Sequence, residues 1–204
     1  MSIYTNYPKL KRFESIFEKT INLLVKTYLN GGKLLICGNG GSAADSMHIV
    51  GELQKGFCLK RKLDLENQAD FMDKQDGEYL FNNLQDGYPA ISLVSEAALL
   101  SAISNDNGFD LSFAQQVWTL GQEKDILLAI STSGNSRNVV LAAEVAKIKK
   151  MTVIGLTGEK IDTKLKKYSD IYINVPENET YRVQELHLPI YHFLCKQVEQ
   201  RLFK

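Results

Sequence analysis

The chain contains 204 residues, of which 44% are hydrophobic and 24% are charged. This composition is typical of a globular protein, and the length suits one domain with a substantial core better than two. Its 24 basic and 24 acidic residues give a formal net charge of zero. The sequence therefore lacks the basic surface that usually binds nucleic acid or an anionic membrane.

The sequence carries no signal for membrane insertion or secretion. Its apolar stretches are too short to span a bilayer, and the first residues lack the basic, apolar and small-residue succession of a signal peptide. Cys37, Cys58 and Cys195 are odd in number and form no paired metal-binding motif, which suits a reducing compartment. We therefore expect a cytoplasmic protein with no nucleic-acid or membrane partner.

Hydrophobic periodicity predicts helices and strands that alternate along most of the chain. The predicted helices cover residues 8–29, 42 to about 55, 95–104, 110–121, 136–149 and about 180–202, and the predicted strands cover 33–37, 89–94, 125–130, 151–156 and 170–175. Such alternation is typical of an α/β fold with a five-stranded, mainly parallel sheet between two layers of helices. The first and last helices are long and amphipathic.

Residues 58–88 interrupt this alternation with a polar, charged segment that is far longer than a usual connection. The segment contains six large apolar residues, Leu63, Leu65, Phe71, Leu80, Phe81 and Leu84. We interpret it as an ordered insertion with one or two helices. Its apolar residues should be buried against the domain or a neighbouring subunit, while its charged residues face water. A surface insertion with no effect on chemistry is the alternative.

Two polar loops follow the first and third predicted strands. The first is Gly38-Asn39-Gly40-Gly41-Ser42, and the second is Ser131-Thr132-Ser133-Gly134-Asn135-Ser136. Hydroxyl and backbone N–H groups at the start of a helix are suited to phosphate oxygens, and the carboxyl ends of parallel strands are where ligands bind. The pair of loops therefore predicts a site for a phosphorylated, polyhydroxylated small molecule.

Two features limit that interpretation. The second loop could instead be a plain turn in which Ser136 caps the next helix. The first loop is neither a GxGxxG motif nor a Walker loop, so nucleotide binding is disfavoured.

Four short sequences together resemble the sugar isomerase (SIS) domain family: GNGGSAADSMH, SNDNGF, AISTSGNS and RVQELH. Within that family they are similar to phosphoheptose isomerases, from roughly residue 10 to 203 except for 58–88. The resemblance implies one SIS domain over residues 1–204 with an insertion. It also implies a homotetrameric ketose–aldose isomerase that converts sedoheptulose 7-phosphate to D-glycero-D-manno-heptose 7-phosphate through an enediol.

The resemblance also implies a metal site. Phosphoheptose isomerases bind zinc through residues that match His48, Glu52, Gln184 and His192. The spacings of four and eight residues place each pair on one helix face, and nitrogen and oxygen ligands suit Zn²⁺ or a related divalent ion. We expect about one ion per chain. Taken alone, His48 and Glu52 could be an ordinary exposed helix pair, and His192 a core histidine.

Roles for individual residues follow from the same resemblance. Glu52 is expected to be the base and His192 the acid of the isomerisation, while His187 lies off the Gln184–His192 face and is expected to be structural. The expected substrate-binding residues are Asn39, Gly40, Gly41, Glu52, Asn105, Asp106, Ser131, Thr132, Ser133, Ser136 and Gln184.

The sequence departs from the family at two places near these residues. The family often has an arginine four residues after the metal-binding glutamate, where this chain has Gly56 with Lys55 beside it. Pro189 removes one hydrogen bond from the last helix between its two expected ligands, which predicts a bend there.

Three other functions are alternatives to this isomerase. A non-catalytic SIS adaptor that binds the bacterial replication initiator lacks the glutamate and histidine present here as Glu52 and His192. A sugar-phosphate-sensing SIS module normally adjoins a DNA-binding domain, for which this chain has no room. An isomerase of another ketose phosphate is a further alternative.

Overall fold

The computed structural model describes residues 3–203. Its sheet contains five strands in the order β2-β1-β3-β4-β5, and every neighbouring pair is parallel. The strands are β1 Leu34–Cys37, β2 Ala90–Ser92, β3 Ile126–Ser131, β4 Thr152–Thr157 and β5 Ile171–Asn174. In the central register, Leu34 pairs with Ala90 on one side and with Ile126 on the other. The predicted parallel sheet is confirmed.

The helices account for most of the remaining chain. The α-helices are α1 Ile3–Asn6, α2 Glu14–Leu29, α3 Gly41–Gln54, α4 Gln68–Met72, α5 Gly77–Asn83, α6 Ala97–Asp106, α7 Ala114–Leu120, α8 Arg137–Ile148 and α9 Thr180–Leu202. Short 3₁₀ helices cover Pro8–Phe13, Leu65–Asn67, Phe109–Leu111 and Leu165–Tyr168. Among the described residues, no helix combines the length and apolar character needed to cross a membrane.

The sheet separates two hydrophobic cores. Successive side chains of a strand point to opposite faces, so Leu34 and Ile36 enter one core while Leu35 and Cys37 enter the other. Helices α2, α3 and α9 cover the first face, and α7 and α8 cover the second. This arrangement confirms the predicted three layers and explains why the strands read as continuous apolar runs.

Three predicted elements have different boundaries in the structure. The predicted helix over 8–29 begins as 3₁₀ helix and becomes α-helical only at Glu14. The predicted helix over 110–121 is similarly divided into a 3₁₀ turn and α7. The helix predicted over 95–104 extends to Asp106 in the structure, because the Ile103 carbonyl accepts hydrogen bonds from the N–H groups of Asn107 and Gly108.

Pro189 lies inside α9 without interrupting it. The helix is continuous over 23 residues, and the proline ring is buried. Helix α9 therefore carries Gln184 and His192 on one unbroken element.

The strand order creates the crevice that the two polar loops share. Strands β1 and β3 are neighbours at the centre of the sheet, whereas the chain after β1 goes to β2 on the other side. In parallel sheets, ligands bind outside the carboxyl ends of strands at such a reversal of direction. The loops after β1 and β3 meet there.

The insertion is ordered and helical, as predicted, but its apolar residues are not buried by the domain. It contains a 3₁₀ turn, α4 and α5. Leu65 is 74% exposed and Leu84 is 48% exposed, while Phe71 and Phe81 are half-buried and pack mainly on each other, with ring centroids 5.7 Å apart. The chain's own domain therefore does not bury Leu65 and Leu84, and burial against a neighbouring subunit stays a prediction.

The burial of Arg61 contradicts a second prediction about the insertion. Its charged residues were expected to face water, yet Arg61 is 1% exposed. Its guanidinium donates to the Glu199 carboxylate on α9, with Nε 2.8 Å from Oε1. The first residues after α3 are thus tied to the domain body, and the exposed part of the insertion begins later.

His187 lies in the core, as expected for a structural residue. It is 0% exposed, and its Nε2 is 3.3 Å from the Thr157 carbonyl oxygen. Burial lowers the pKa of His187 to about 4, and the bond to Thr157 opposes this only weakly. The folded chain therefore holds a neutral imidazole at neutral pH.

This histidine should make the folded state sensitive to acid. Between the unfolded pKa near 6.5 and the folded pKa near 4, the unfolded chain binds more protons, so the free energy of unfolding falls as the pH falls. We expect His187→Gln to remove on the order of 2–3 kcal/mol of this pH dependence. Urea titrations of both proteins from pH 7 to pH 4 measure it, and parallel profiles would contradict the assignment.

Candidate active site

A cavity of about 340 Å³ lies outside the carboxyl ends of β1 and β3. Its size suits a small ligand. The residues that line it are Asn39, Gly40, Gly41, Ser42, Ile130, Ser131, Thr132, Ser136, Thr180 and Gln184. Seven of the expected substrate-binding residues are in this set.

The serines of the second loop lie at the N-terminus of α8. Ser131 Oγ donates to Ser136 Oγ at 3.0 Å, and Ser136 occupies the N-cap position without a side-chain hydrogen bond to the helix. The capping function that would have explained Ser136 as a plain turn residue is therefore not used. Its hydroxyl lines the cavity instead, at the positive end of the helix dipole.

Gly41 and Gln184 are in close contact across the cavity wall. A Cβ atom added to Gly41 would lie 2.5 Å from the Gln184 side-chain nitrogen, which is too short for any real contact. The glycine leaves room for the Gln184 side-chain amide against the start of α3. As a result, Gln184 belongs to the cavity.

Asn39 is held by a residue that sequence reasoning did not single out. Its side-chain amide exchanges two hydrogen bonds of 2.9 Å with the amide of Asn138 on α8, and Asn138 is 3% exposed. This reciprocal pair joins the loop after β1 to the helix after β3. The Asn39 amide therefore has a structural partner, beyond the sugar contact that was expected of it.

Three potential metal ligands converge on α3 and α9, the helices whose N-terminal residues line this cavity. His48 and Glu52 come from α3 and His192 from α9, and one ligand atom of each lies within 4.8 Å of the others. His48 Nε2 is 3.0 Å from Glu52 Oε1, and the His48 and His192 rings meet edge to face with centroids 4.9 Å apart. Three of the four predicted ligands are thus brought together by two helices.

His48 is oriented by a chain of hydrogen bonds. The Tyr191 hydroxyl donates to Asp45 Oδ1 at 3.3 Å and lies 3.0 Å from His48 Nδ1. The hydroxyl proton is used by Asp45, so Nδ1 is the donor in the second bond and Nε2 carries a lone pair. Such outer partners commonly orient metal-binding histidines. Burial raises the pKa of Tyr191, and so does the adjacent Asp45.

The electronic character of the cluster fits a divalent cation. With Nδ1 of His48 protonated, Nε2 and Glu52 Oε1 are two acceptors 3.0 Å apart, an arrangement that a shared cation would stabilise. The Nε2 atom of His192 is buried and has no hydrogen-bond partner among the described residues. Burial lowers the pKa of His192, and nearby His48 lowers it further. The neutral ring can therefore offer a nitrogen lone pair to a cation. Two imidazoles and a carboxylate are typical zinc ligands.

Some predicted residues lie apart from these two groups. Asn105 and Asp106 are exposed at the end of α6, where their side chains bond to each other, and neither lines the cavity. Ser133 is exposed and accepts a hydrogen bond from the backbone of Asn135. Gln184 is in the cavity, and its place among the metal ligands stays a prediction.

The position of the missing arginine is explained by close packing. A Cβ atom at Gly56 would lie 2.3 Å from the Leu59 carbonyl oxygen, so no side chain fits there with this backbone. The guanidinium nearest to the end of α3 is that of Arg61, which donates to the Glu52 carbonyl oxygen at 2.9 Å. Because Arg61 is buried, it cannot replace a substrate-binding arginine.

Comparison with known proteins agrees with this geometry. A family model described as SIS domain matches residues 77–158. A phosphoheptose isomerase from Helicobacter pylori is 38% identical over 191 residues, which are 94% of this chain and 86% of that protein. The chain belongs to the phosphoheptose isomerase family. It is therefore an aldose–ketose isomerase that acts on a sugar phosphate.

Solved structures of this family have the same fold. A phosphoheptose isomerase from Neisseria gonorrhoeae is 32% identical with a TM-score of 0.77, and the match covers 97% of this chain and 92% of that one. One from Francisella tularensis is 32% identical with a TM-score of 0.79, and the match covers 98% and 93%. The resemblance seen in the four motifs is confirmed.

Proposed function

We propose that this phosphoheptose isomerase converts sedoheptulose 7-phosphate to D-glycero-D-manno-heptose 7-phosphate. The observation that carries the proposal is the convergence of His48, Glu52 and His192 on α3 and α9, the two helices whose N-terminal residues line the polar cavity at the ends of β1 and β3. The name of the relatives supports the heptose as substrate. Another ketose phosphate is the alternative substrate.

The cavity suggests how the substrate is held. The hydroxyls of Ser131, Thr132 and Ser136 at the start of α8 would bind the phosphate, helped by the nearby Ser133. The remaining lining residues, Asn39, Gly40, Gly41 and Gln184, would contact the sugar hydroxyls. Asn105 and Asp106 do not line the cavity of their own chain, and we assign them to the substrate site of a neighbouring subunit.

Isomerisation requires two proton transfers on adjacent carbons. Glu52 would remove a proton from C1 of the ketose, and His192 would deliver a proton to the carbonyl oxygen on C2, which gives a 1,2-enediol. Loss of the proton from the C1 hydroxyl and protonation of C2 then complete the aldose. Glu52 is suited to this role because its side chain is only 14% exposed.

We propose that His48, Glu52, Gln184 and His192 hold about one Zn²⁺ or a related divalent ion per chain. The bound ion would orient the sugar and polarise its oxygens. The chain's own residues would carry the protons. The hydrogen-bond chain through Tyr191 would keep His48 in the tautomer that a metal requires.

We also propose an oligomeric state, a compartment and a class of partners for the enzyme. Exposed apolar residues on the insertion, including Leu65 and Leu84, suit a homotetramer in which residues 1–204 form one SIS domain. All three cysteines are free thiols, which suits the cytoplasm. The zero net charge favours no nucleic-acid or membrane partner.

Loss of the catalytic base should abolish turnover. We expect Glu52→Gln to reduce the conversion of sedoheptulose 7-phosphate by roughly 10³-fold, because an amide cannot accept the C1 proton. Glu123→Gln, on an exposed loop residue, is the control with the same charge change. Aldose formation is followed over a panel of ketose phosphates. An unchanged rate in Glu52→Gln would exclude Glu52 as the base, and a wild-type chain inactive on every ketose would favour the adaptor.

Metal content should depend on the two histidines of the cluster. We expect about one divalent ion per wild-type chain, and its loss in the variant with both His48→Ala and His192→Ala, which removes two of the ligands. His187→Gln, on α9 but outside the cluster, is the control. Elemental analysis that finds no metal in active wild-type protein would contradict the metal site.

The insertion should influence assembly or substrate choice. Lys62 and Gln85 pair directly, so a short Gly-Ser connector can replace residues 64–83 while Arg61 is retained. We expect a folded protein with a changed oligomeric state or changed relative rates on the ketose panel. A full-length variant with Leu65→Ser and Leu84→Ser separates lost apolar contact from lost length. Sedimentation and rates that match the wild type would show that the insertion has no role.

A further inference from the structure

A buried ion pair joins the segment after α3 to α9, the two helices that carry His48, Glu52 and His192. Arg61 is 1% exposed and Glu199 is 0% exposed, and they are linked through Arg61 Nε and Glu199 Oε1 at 2.8 Å. Their separation of 138 residues means that the pair joins two distant parts of the chain. No substrate-binding or catalytic role explains why charges are buried here.

Arg61 provides hydrogen-bond donors for the backbone carbonyl groups at the end of α3. Its two terminal nitrogens donate to the carbonyl oxygens of Leu53 at 2.6 Å and Glu52 at 2.9 Å. Carbonyls in the last turn of a helix have no partner within the helix. The guanidinium therefore fixes the backbone of Glu52 itself, the residue expected to bind metal and remove the proton.

Glu199 fixes the segment that follows α3. Its carboxylate accepts hydrogen bonds from the backbone N–H groups of Phe57, Cys58 and Leu59 at 2.9, 2.8 and 3.2 Å. These bonds and the bond from Arg61 hold the pKa of Glu199 below its ordinary value although burial opposes it. The carboxylate is thus ionised and fully hydrogen-bonded.

The same contacts reach His192. Glu199 is seven residues after His192 on α9, so the two side chains lie on the same helix face two turns apart. The Phe57 ring, whose backbone Glu199 binds, lies 5.5 Å from the His192 ring between centroids. Through direct contacts, the pair therefore links the backbone of Glu52 to Phe57, whose ring contacts His192.

Arg61 cannot act on the substrate directly. Its guanidinium packs on the rings of Tyr88 and Phe203, at 5.0 and 5.4 Å from their centroids, and Arg61 does not line the cavity. Its effect on chemistry must pass through the residues it holds. Arg61 and Glu199 are positioning residues in this sense.

We propose that the Arg61–Glu199 pair sets the relative placement of Glu52 on α3 and His192 on α9. The inference rests on the proposed metal-dependent isomerisation and adds two residues to it. An enzyme whose ligands come from two helices needs a fixed relation between those helices. The bonds of Tyr191 to Asp45 and His48 join α9 to the middle of α3, and the Arg61–Glu199 pair adds a buried contact at the end of α3. Weakening the pair should loosen the metal site before it unfolds the protein.

The test compares this pair with a second buried ion pair. Asp125 is 1% exposed and binds Lys33. The two residues lie at the starts of β3 and β1, whereas the cavity lies at the carboxyl ends of these strands. Asp125→Asn therefore destabilises the fold without touching α3 or α9. The test variants are Glu199→Gln, which keeps the side-chain size and removes the charge, and Arg61→Lys, which keeps the charge and removes the forked guanidinium.

We expect the two test variants to bind Zn²⁺ about 10- to 100-fold more weakly than the wild type in calorimetry of the full-length protein, as other outer-contact changes do. Their kcat should fall by a similar factor with little change in KM. Asp125→Asn should lower the melting temperature with the same Zn²⁺ affinity as the wild type. Equal Zn²⁺ affinity and kcat in test variants of reduced stability would overturn the inference.

A measurement without metal separates this inference from the proposed function. The His48 and His192 rings are close enough for a nuclear Overhauser effect in selectively labelled, metal-free protein. We expect this signal to weaken in Glu199→Gln and to persist in Asp125→Asn. A wild-type protein that binds no Zn²⁺ would contradict the metal site alone, and persistence of the signal in Glu199→Gln would overturn the positioning role.

Discussion

Arg61 and Glu199 impose the strictest constraint on this molecule because both charged side chains are 0% exposed. Breaking a buried ion pair by removing one partner costs about 3–5 kcal/mol, so each residue depends strongly on the other. The contacts they require bring together the end of α3, the N–H groups after it and the last turns of α9. The positions of Glu52 and His192, and the point where the insertion leaves the domain, all follow from that arrangement.

The sheet provides the other half of the site. Because β1 and β3 are adjacent while β2 lies at the edge, the two polar loops open into one crevice. The reciprocal amide pair between Asn39 and Asn138 closes the loops against each other. The strand order thus creates the cavity, and the helix pair α3 and α9 brings the three potential metal ligands together.

The cluster and the cavity use burial in different ways. Burial lowers the pKa of His192 and so keeps a neutral nitrogen that can bind a cation. The cavity remains polar, with serine hydroxyls that the helix does not use as caps. An isomerase needs both environments side by side, because proton transfer favours a dry, fixed base while a sugar phosphate requires many hydrogen bonds.

The sequence by itself determined the α/β class, the five strands, the two polar loops and the family. Strands buried on both faces read as uninterrupted apolar runs, and the loop and ligand motifs are local in sequence. The ends of helices were harder to predict from the sequence. Helix α6, for example, continues through Asp106 because the Ile103 carbonyl oxygen accepts the hydrogen bonds that end the helix.

Only the tertiary structure decided which polar residues support the site. Arg61 reads as one charge among many in residues 58–88, and nothing local marks Asn138 or Tyr191. Their partners lie 138, 99 and 143 residues away in the chain. Sequence patterns report periodicity and local motifs, whereas the cost of burying a polar group is set by the partner that the fold brings to it.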